Sequence, residues 1–322
     1  MSPISPGVSS EPQKTSEAAL DNLNRIVFQI PDLKALTARY SVVDMHIHSH
    51  HSDGTPSVDD IAERAKELGI GVSVTDHNQI EGAVELAARG DVFNIPGIEV
   101  TSLEGTHLLV YFHDVRDLEK FYGRDILPHM GPSVMSSTEL EMEEIVRRAR
   151  QYPSLTVFAH PYSAAFTGVC NVYFPGERLE AVLAQVDGVE VINASNLTKW
   201  NLRCALLGFN LAKAVTGGSD SHSVQHIGRA VTYSDCRPTP RAFLSAVRKG
   251  RAKVVGKEID LLRKVASSGF KLRTSLKNTP DLLEKNIRYG CTVINTKSRL
   301  FRERMRQRLD ERRREDPDAV SR

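Results

Sequence analysis

Short apolar runs in this chain keep ending on ionisable residues. Val42–His46 leads into His48 and Asp53, Gly71–Thr75 into Asp76 and His77, and Phe93–Ile98 into Glu99. Leu155–Ala159 ends at His160, and Ala214–Gly217 ends at Gly218-Ser219-Asp220-Ser221-His222. His107–Phe112, Gly188–Ile192 and Ala252–Val255 read as further strands. Helical patterns lie between them. Ser57 caps Val58–Leu68, which stops at Gly69, and Gln79–Arg89 stops at Gly90. Thr138, with Glu141 three residues on, opens Glu139–Gln151. Glu177–Gln185, Thr198–Phe209 and Thr239–Lys249 complete the set, and Asp114 to Ser137 reads as irregular. About seven such strand–helix steps predict an α/β fold with mainly parallel strands, and links this short suit an irregular barrel better than an open sheet.

In a parallel barrel the strand C-termini open on one face, which carries the site. Metal-type residues at five strand ends are poor packing material, because a buried charge is costly unless paired or metal-bound. Asp44, His46 and His48 share one face of their strand, and Gly54 lets the following turn bend. Glu99 ends a parallel strand, and the link Ser102–Thr106 is too short for a crossover helix, so the next strand returns antiparallel. That puts His107 beside Glu99 and His113 roughly 20 Å away at the far end. Of the eleven histidines, His46, His48, His77, His107, His160 and His222 are therefore the expected metal ligands. His50, His51, His113, His129 and His226 stay outside the first shell.

The chain has 322 residues and a formal charge of +2, so it is no polyanion binder by charge alone. No apolar run approaches the ~20 residues of a membrane span. The N-terminus lacks a secretion pattern, and Cys170, Cys204, Cys236 and Cys291 have no close spacing. A cytoplasmic protein with reduced thiols is expected. The expected organisation is a tail over 1–38, disordered to about Ala19 and loosely packed after it, a catalytic barrel over 39–256, and a basic, mainly helical extension over 257–322. In that extension Leu300, Phe301, Met305 and Leu309 lie along one side of a charged helix ended by Pro317.

Asp44-x-His46-x-His48-x-x-x-Ser52-Asp53-Gly54, Thr75-Asp76-His77, Gly97-x-Glu99, His107-Leu108-Leu109, Ala159-His160-Pro161 and Gly218-Ser219-Asp220-Ser221-His222 together resemble the motif set of the PHP (polymerase and histidinol phosphatase) superfamily of metal-dependent phosphoesterases. The resemblance covers about residues 40 to 256. It implies a distorted (β/α)7 barrel and about two to three divalent transition-metal ions, Mn, Fe or Zn. Carried over by motif, His46, His48, Glu99 and Asp220 would bind one ion. Glu99 would bridge to a second held by His107 and His160, and Asp53, His77 and His222 would hold the third. Asp44 and Asp76 would orient imidazoles from behind. Glu99 and Asp220 are then the expected catalytic carboxylates.

Arg229 is the first candidate to grip phosphoryl oxygens, with Lys199 and Arg203 second, and Asn193 and Asn196 on the same rim. The expected reaction is hydrolysis of a phosphate mono- or diester of a small metabolite or nucleotide by a metal-bridging hydroxide. The segment Leu108–Ala159 is shorter than in members that act as exonucleases, which weakens transfer of their substrates. Two alternatives stay open: a nuclease on single-stranded RNA or DNA, and a non-catalytic module whose metals stabilise an interaction surface.

Overall fold

A computed structural model describes residues 25–163 and 167–259. The predicted disordered tail and the Leu300–Leu309 helix lie outside them. Among the described residues there are ten strands: β1 Ile26–Phe28, β2 Ser41–Ile47, β3 Gly71–Val74, β4 Gly97–Thr101, β5 His107–Phe112, β6 Ser154–Phe158, β7 Gly188–Asn193, β8 Ala214–Gly218, β9 Ala230–Ser234 and β10 Lys253–Gly256. They form two five-stranded sheets, ordered β1-β10-β9-β2-β3 and β4-β5-β6-β7-β8. The class is mixed α/β, as expected. The ladders are not mainly parallel, however. β9 runs antiparallel to both β2 and β10, and β5 runs antiparallel to both β4 and β6. No continuous ladder closes a barrel among the described residues. The isolated parallel bridges Ile47↔Ser221, Val72↔Asn94 and His77↔Glu99 join one sheet to the other.

Local sequence explains most elements. Helix Val58–Leu68 is fixed at its start by a reciprocal capping box between Ser57 and Asp60, and at its end by Gly69 in the left-handed region. Helix Pro240–Arg248 starts behind Thr239, whose hydroxyl accepts from the Ala242 N–H. Three boundaries differ from expectation. β4 starts at Gly97 because Pro96 cannot donate to a ladder, so Glu99 lies mid-strand and not at a strand end. The helix expected from Glu139 starts at Met142. Thr138 spends its hydroxyl on the Thr101 carbonyl, 2.9 Å away, and the Leu140 carbonyl accepts from Leu103 N–H, which keeps this segment extended. The stretch expected to be irregular contains helix Val115–Phe121, capped by Asp114, then a π-helical turn over Tyr122–Ile126. β1 and helix Leu33–Thr37 precede the expected barrel, and β1 pairs in parallel with β10.

The space between the sheets is packed with Val43, Met45, Leu109, Tyr111, Val157 and, from helix Pro240–Arg248, Phe243 and Leu244. Tyr111 on β5 is fully buried, and its hydroxyl donates to the Met45 carbonyl on β2 at 2.7 Å. This bond ties one sheet to the other directly beneath His46.

Candidate metal centre

His46 lies one residue before the end of β2, in its buried part, and His48 follows the strand on the turn. Asp76 organises that turn: its carboxylate accepts from the Ser49 N–H at 2.7 Å and from the hydroxyls of Ser49 and Ser52. Gly54 is required here by close approach and not by an unusual φ, since a Cβ on it would lie 2.2 Å from the His48 carbonyl oxygen. Asp44 accepts N–H groups from Ser219 and Gly228, both at 2.8 Å. Neither Asp44 nor Asp76 orients an imidazole, contrary to expectation. Asp44 is spent on backbone N–H groups, and Asp76 on one backbone N–H and two hydroxyls, of the loops that carry the site.

One buried carboxylate gathers the histidines. Glu99 Oε2 lies 3.3 Å from His46 Nε2, 3.3 Å from His48 Nε2 and 3.1 Å from His77 Nδ1. Its Oε1 lies 3.0 Å from His107 Nδ1 and 3.5 Å from His160 Nε2. β4 and β5 are antiparallel, with Thr101 opposite His107. That pairing returns the start of β5 to Glu99, while His113 sits at the other end, near Arg241 and Arg248.

Asp220 Oδ1 lies 3.1 Å from His48 Nε2 and 3.6 Å from His46 Nε2. Asp53 Oδ2 is 2.9 Å from His222 Nε2, and its Oδ1 is 3.7 Å from His48 Nδ1 and 3.8 Å from His77 Nε2. All nine residues expected to ligate metal are thus brought together. They form four overlapping groups: His46, His48 and Asp220; His48, Asp53 and His222; His48, His77 and Glu99; and Glu99, His107 and His160. His48 belongs to three of these, so it stands at the middle of the cluster.

Backbone geometry also marks the site. His160 and Asp220 both have positive φ, at 28° and 49°. Non-glycine residues hold such values only when their surroundings over-determine them, at a cost of about 1–3 kcal/mol each. Asp220 N–H donates to the His46 carbonyl at 2.7 Å, and Gly218 lies so close to β2 that a Cβ on it would sit 2.4 Å from the His46 Cβ.

Burial opposes charge here, yet Glu99, Glu190 and Asp220 push His46 well above the usual histidine range. Burial likewise works against charged His48 and His160, but their carboxylate neighbours raise both. The rings in turn overcome burial and hold Glu99, Asp53 and Asp220 well below the usual carboxylate range. Burial wins at His77, which is pushed down to about 3 and so stays neutral. The donor set fits divalent cations. Imidazole nitrogens and carboxylate oxygens converge, and His48 Nδ1, Asp53 Oδ1, His77 Nδ1 and His160 Nδ1 are buried without a hydrogen-bond partner. Several buried clusters compatible with a multi-metal site are therefore present.

The PHP domain model matches residues 44–111, and the model of the PHP-associated C-terminal region matches residues 207–252. The chain carries a PHP domain. The two matches contain eight of the nine converging residues: His46, His48, Asp53, His77, Glu99 and His107 lie in 44–111, and Asp220 and His222 in 207–252, with His160 alone outside both.

 No curated protein matches the chain.

Among solved structures, the PHP fold seen here is similar to that of the lesion-specific endonuclease PfuEndoQ from Pyrococcus furiosus. The TM-score is 0.55 at 20% identity, over 67% of this chain and 57% of that one. A complex of endonuclease Q with a 27-mer duplex substrate carrying an abasic lesion gives 0.53 at 19% identity, over 68% and 60%. PsfC from Pseudomonas syringae PB-5123 gives 0.50 at 20% identity, over 74% and 99%. The chain thus spans little more than half the length of the two endonuclease chains.

Sequence reasoning missed Glu190. It lies on β7, 1% exposed, and its Oε1 is 3.0 Å from His46 Nδ1. A carboxylate inside the otherwise apolar strand Gly-Val-Glu-Val-Ile was the available signal. Arg229 lies just before β9, whose start runs beside the end of β2, and so at the same end as the cluster. Lys199 lies over the Trp200 ring, and Arg203 lies over both Trp200 and Tyr162. His50 stacks near His51, whose Nε2 pairs with Glu85 outside the cluster.

Proposed function

We propose that the protein is a metal-dependent phosphoesterase that hydrolyses a phosphate mono- or diester of a small metabolite or nucleotide. Its two sheets are read as halves of a distorted (β/α)7 barrel over residues 39–256, with 257–322 as a separate extension. The observation that carries this reading is Glu99, a single buried carboxylate facing five imidazoles, three from Oε2 and two from Oε1. Two oxygens that serve two ligand groups suit a bridge between ions. His46, His48 and Asp220 would complete one position, His107 and His160 the second, and Asp53, His77 and His222 the third.

Divalent ions in such a site lower the pKa of water and offset charge on phosphoryl oxygens. The chain's own contribution is placement. Glu99 and Asp220 keep the positions fixed, the β2 turn and the Asp220 loop hold the donors rigid, and Arg229 offers a fork for a phosphoryl oxygen.

A second reading, cleavage of a single nucleic-acid strand, is favoured by one feature. Lys199 and Arg203 lie over Trp200 at 5.1 and 5.0 Å, and Arg203 lies 5.7 Å from Tyr162, two residues past His160. Cations interleaved with aromatic rings are what single strands grip.

Assays with Mn on p-nitrophenyl phosphate, bis-p-nitrophenyl phosphate, a mononucleotide and labelled single-stranded RNA separate the readings. Turnover of the small esters, kept within a few-fold after deletion beyond Thr296, is expected. A salt-sensitive RNA activity of comparable efficiency that the deletion removes would make the protein a nuclease. No hydrolysis with Mn, Zn or Fe would leave a non-catalytic module.

A further inference from the structure

Glu190 uses both carboxylate oxygens inside the protein. Oε1 faces His46 Nδ1 at 3.0 Å. Oε2 accepts the backbone N–H of His160 at 2.9 Å and the Asn193 amide at 3.0 Å. Asn193 is itself fixed: its Oδ1 accepts N–H groups from Ser195 and Asn196, at 2.9 and 3.1 Å, so its Nδ2 must face the carboxylates of Glu190 and Asp220. An ionised carboxylate only accepts. His46 Nδ1 therefore keeps its proton, and Nε2 is the nitrogen that faces Glu99, His48 and Asp220, at 3.3, 3.2 and 3.6 Å, and is left to ligate once a cation displaces any proton there.

We propose that Glu190 is a positioning residue that selects the Nε2-ligating tautomer of His46 while holding the backbone of His160 at its positive φ. This rests on the metal-site reading above and adds to it a residue outside the ligand set. It has a specific chemical consequence. Glutamine has the shape of glutamate but one acceptor oxygen and one donor nitrogen. Two N–H groups, from His160 and Asn193, would claim the oxygen. The amide nitrogen then faces His46 Nδ1, which must accept. The ring proton moves to Nε2, and the nitrogen aimed at Glu99 and Asp220 can no longer bind a cation.

The test compares wild-type protein and Glu190→Gln, both stripped by chelator and titrated with Mn while free Mn is followed by electron paramagnetic resonance. The expected result is a folded variant in which one Mn equivalent is lost or weakened by about 10–100-fold, the usual effect of removing a partner of a ligating histidine. Wild-type binding by a folded variant overturns the role of Glu190 and leaves the metal site standing. A wild-type protein that binds no Mn, Zn or Fe overturns both. Where the variant does not fold, long-range 1H–15N spectra of zinc-loaded wild-type protein decide, with His46 assigned by its absence from His46→Asn. A proton on Nδ1 and zinc on Nε2 supports the proposal, and zinc on Nδ1 overturns it.

Discussion

Glu99 concentrates the chemistry of the site in one side chain. Glu99→Gln keeps the shape but removes the charge that opposes five imidazoles. It should release at least one metal equivalent and lower turnover by orders of magnitude, read by elemental analysis and by steady-state assay. His113→Ala, on the same strand as His107 but at its far end, should change neither by more than a few-fold. The protonation pattern gives a second expectation. His46, His48 and His160 are raised above their ordinary values by the carboxylates around them, so in metal-free protein they keep their protons to higher pH than a free histidine, and these must leave before the rings can ligate. Metal affinity should therefore fall as pH is lowered. Binding should release protons, seen as a calorimetric heat that varies with the ionisation enthalpy of the buffer. A pH-independent affinity would contradict this.

The elements meet at the site with little clearance. Gly218 lets β8 approach β2, and Gly218→Ala should push the His46 backbone away at a cost of about 1–3 kcal/mol, the range for overpacking. Denaturant unfolding should show that loss, and metal binding should weaken with it. Much at this scale was legible in the chain. Helix Val58–Leu68 announces both ends by cap residues, and β5 coincides with its apolar run. The antiparallel return after Glu99 follows from the length of one link. What was hidden depended on contacts distant in sequence. β9, five residues long, follows a single 3-10 turn over Val224–His226 and no α-helix, and becomes a strand by lying between β2 and β10. Thr138 looks like a cap until Thr101 takes its hydroxyl. Glu190 carries no motif, and its role appears only when β7 brings it under His46.

Across the whole molecule, the cluster is built from both sheets: His46 and His48 come from one, and Glu99 and His107 from the other. Among the described residues no continuous ladder joins those sheets near it: isolated bridges, bonds such as Tyr111 to Met45 and the apolar packing between the sheets do so, and no described helix is long and apolar enough to cross a membrane. Ions at that junction would hold the sheets together, so chelation should lower the melting temperature and re-addition of Mn restore it, with free ligand in excess setting the size of the shift.

β1 carries a different consequence. It lies outside the expected barrel, yet it is the outer neighbour of β10, with Ile26, Val27 and Phe28 opposite Val254, Val255 and Gly256. A protein cut at residue 39 would keep all nine clustered residues and still leave β10 with a bare row of N–H and C=O groups, open to strand addition by other copies. Such a truncation should migrate as oligomers or precipitate on size-exclusion chromatography where the full chain runs as a single species, even though its catalytic face is intact.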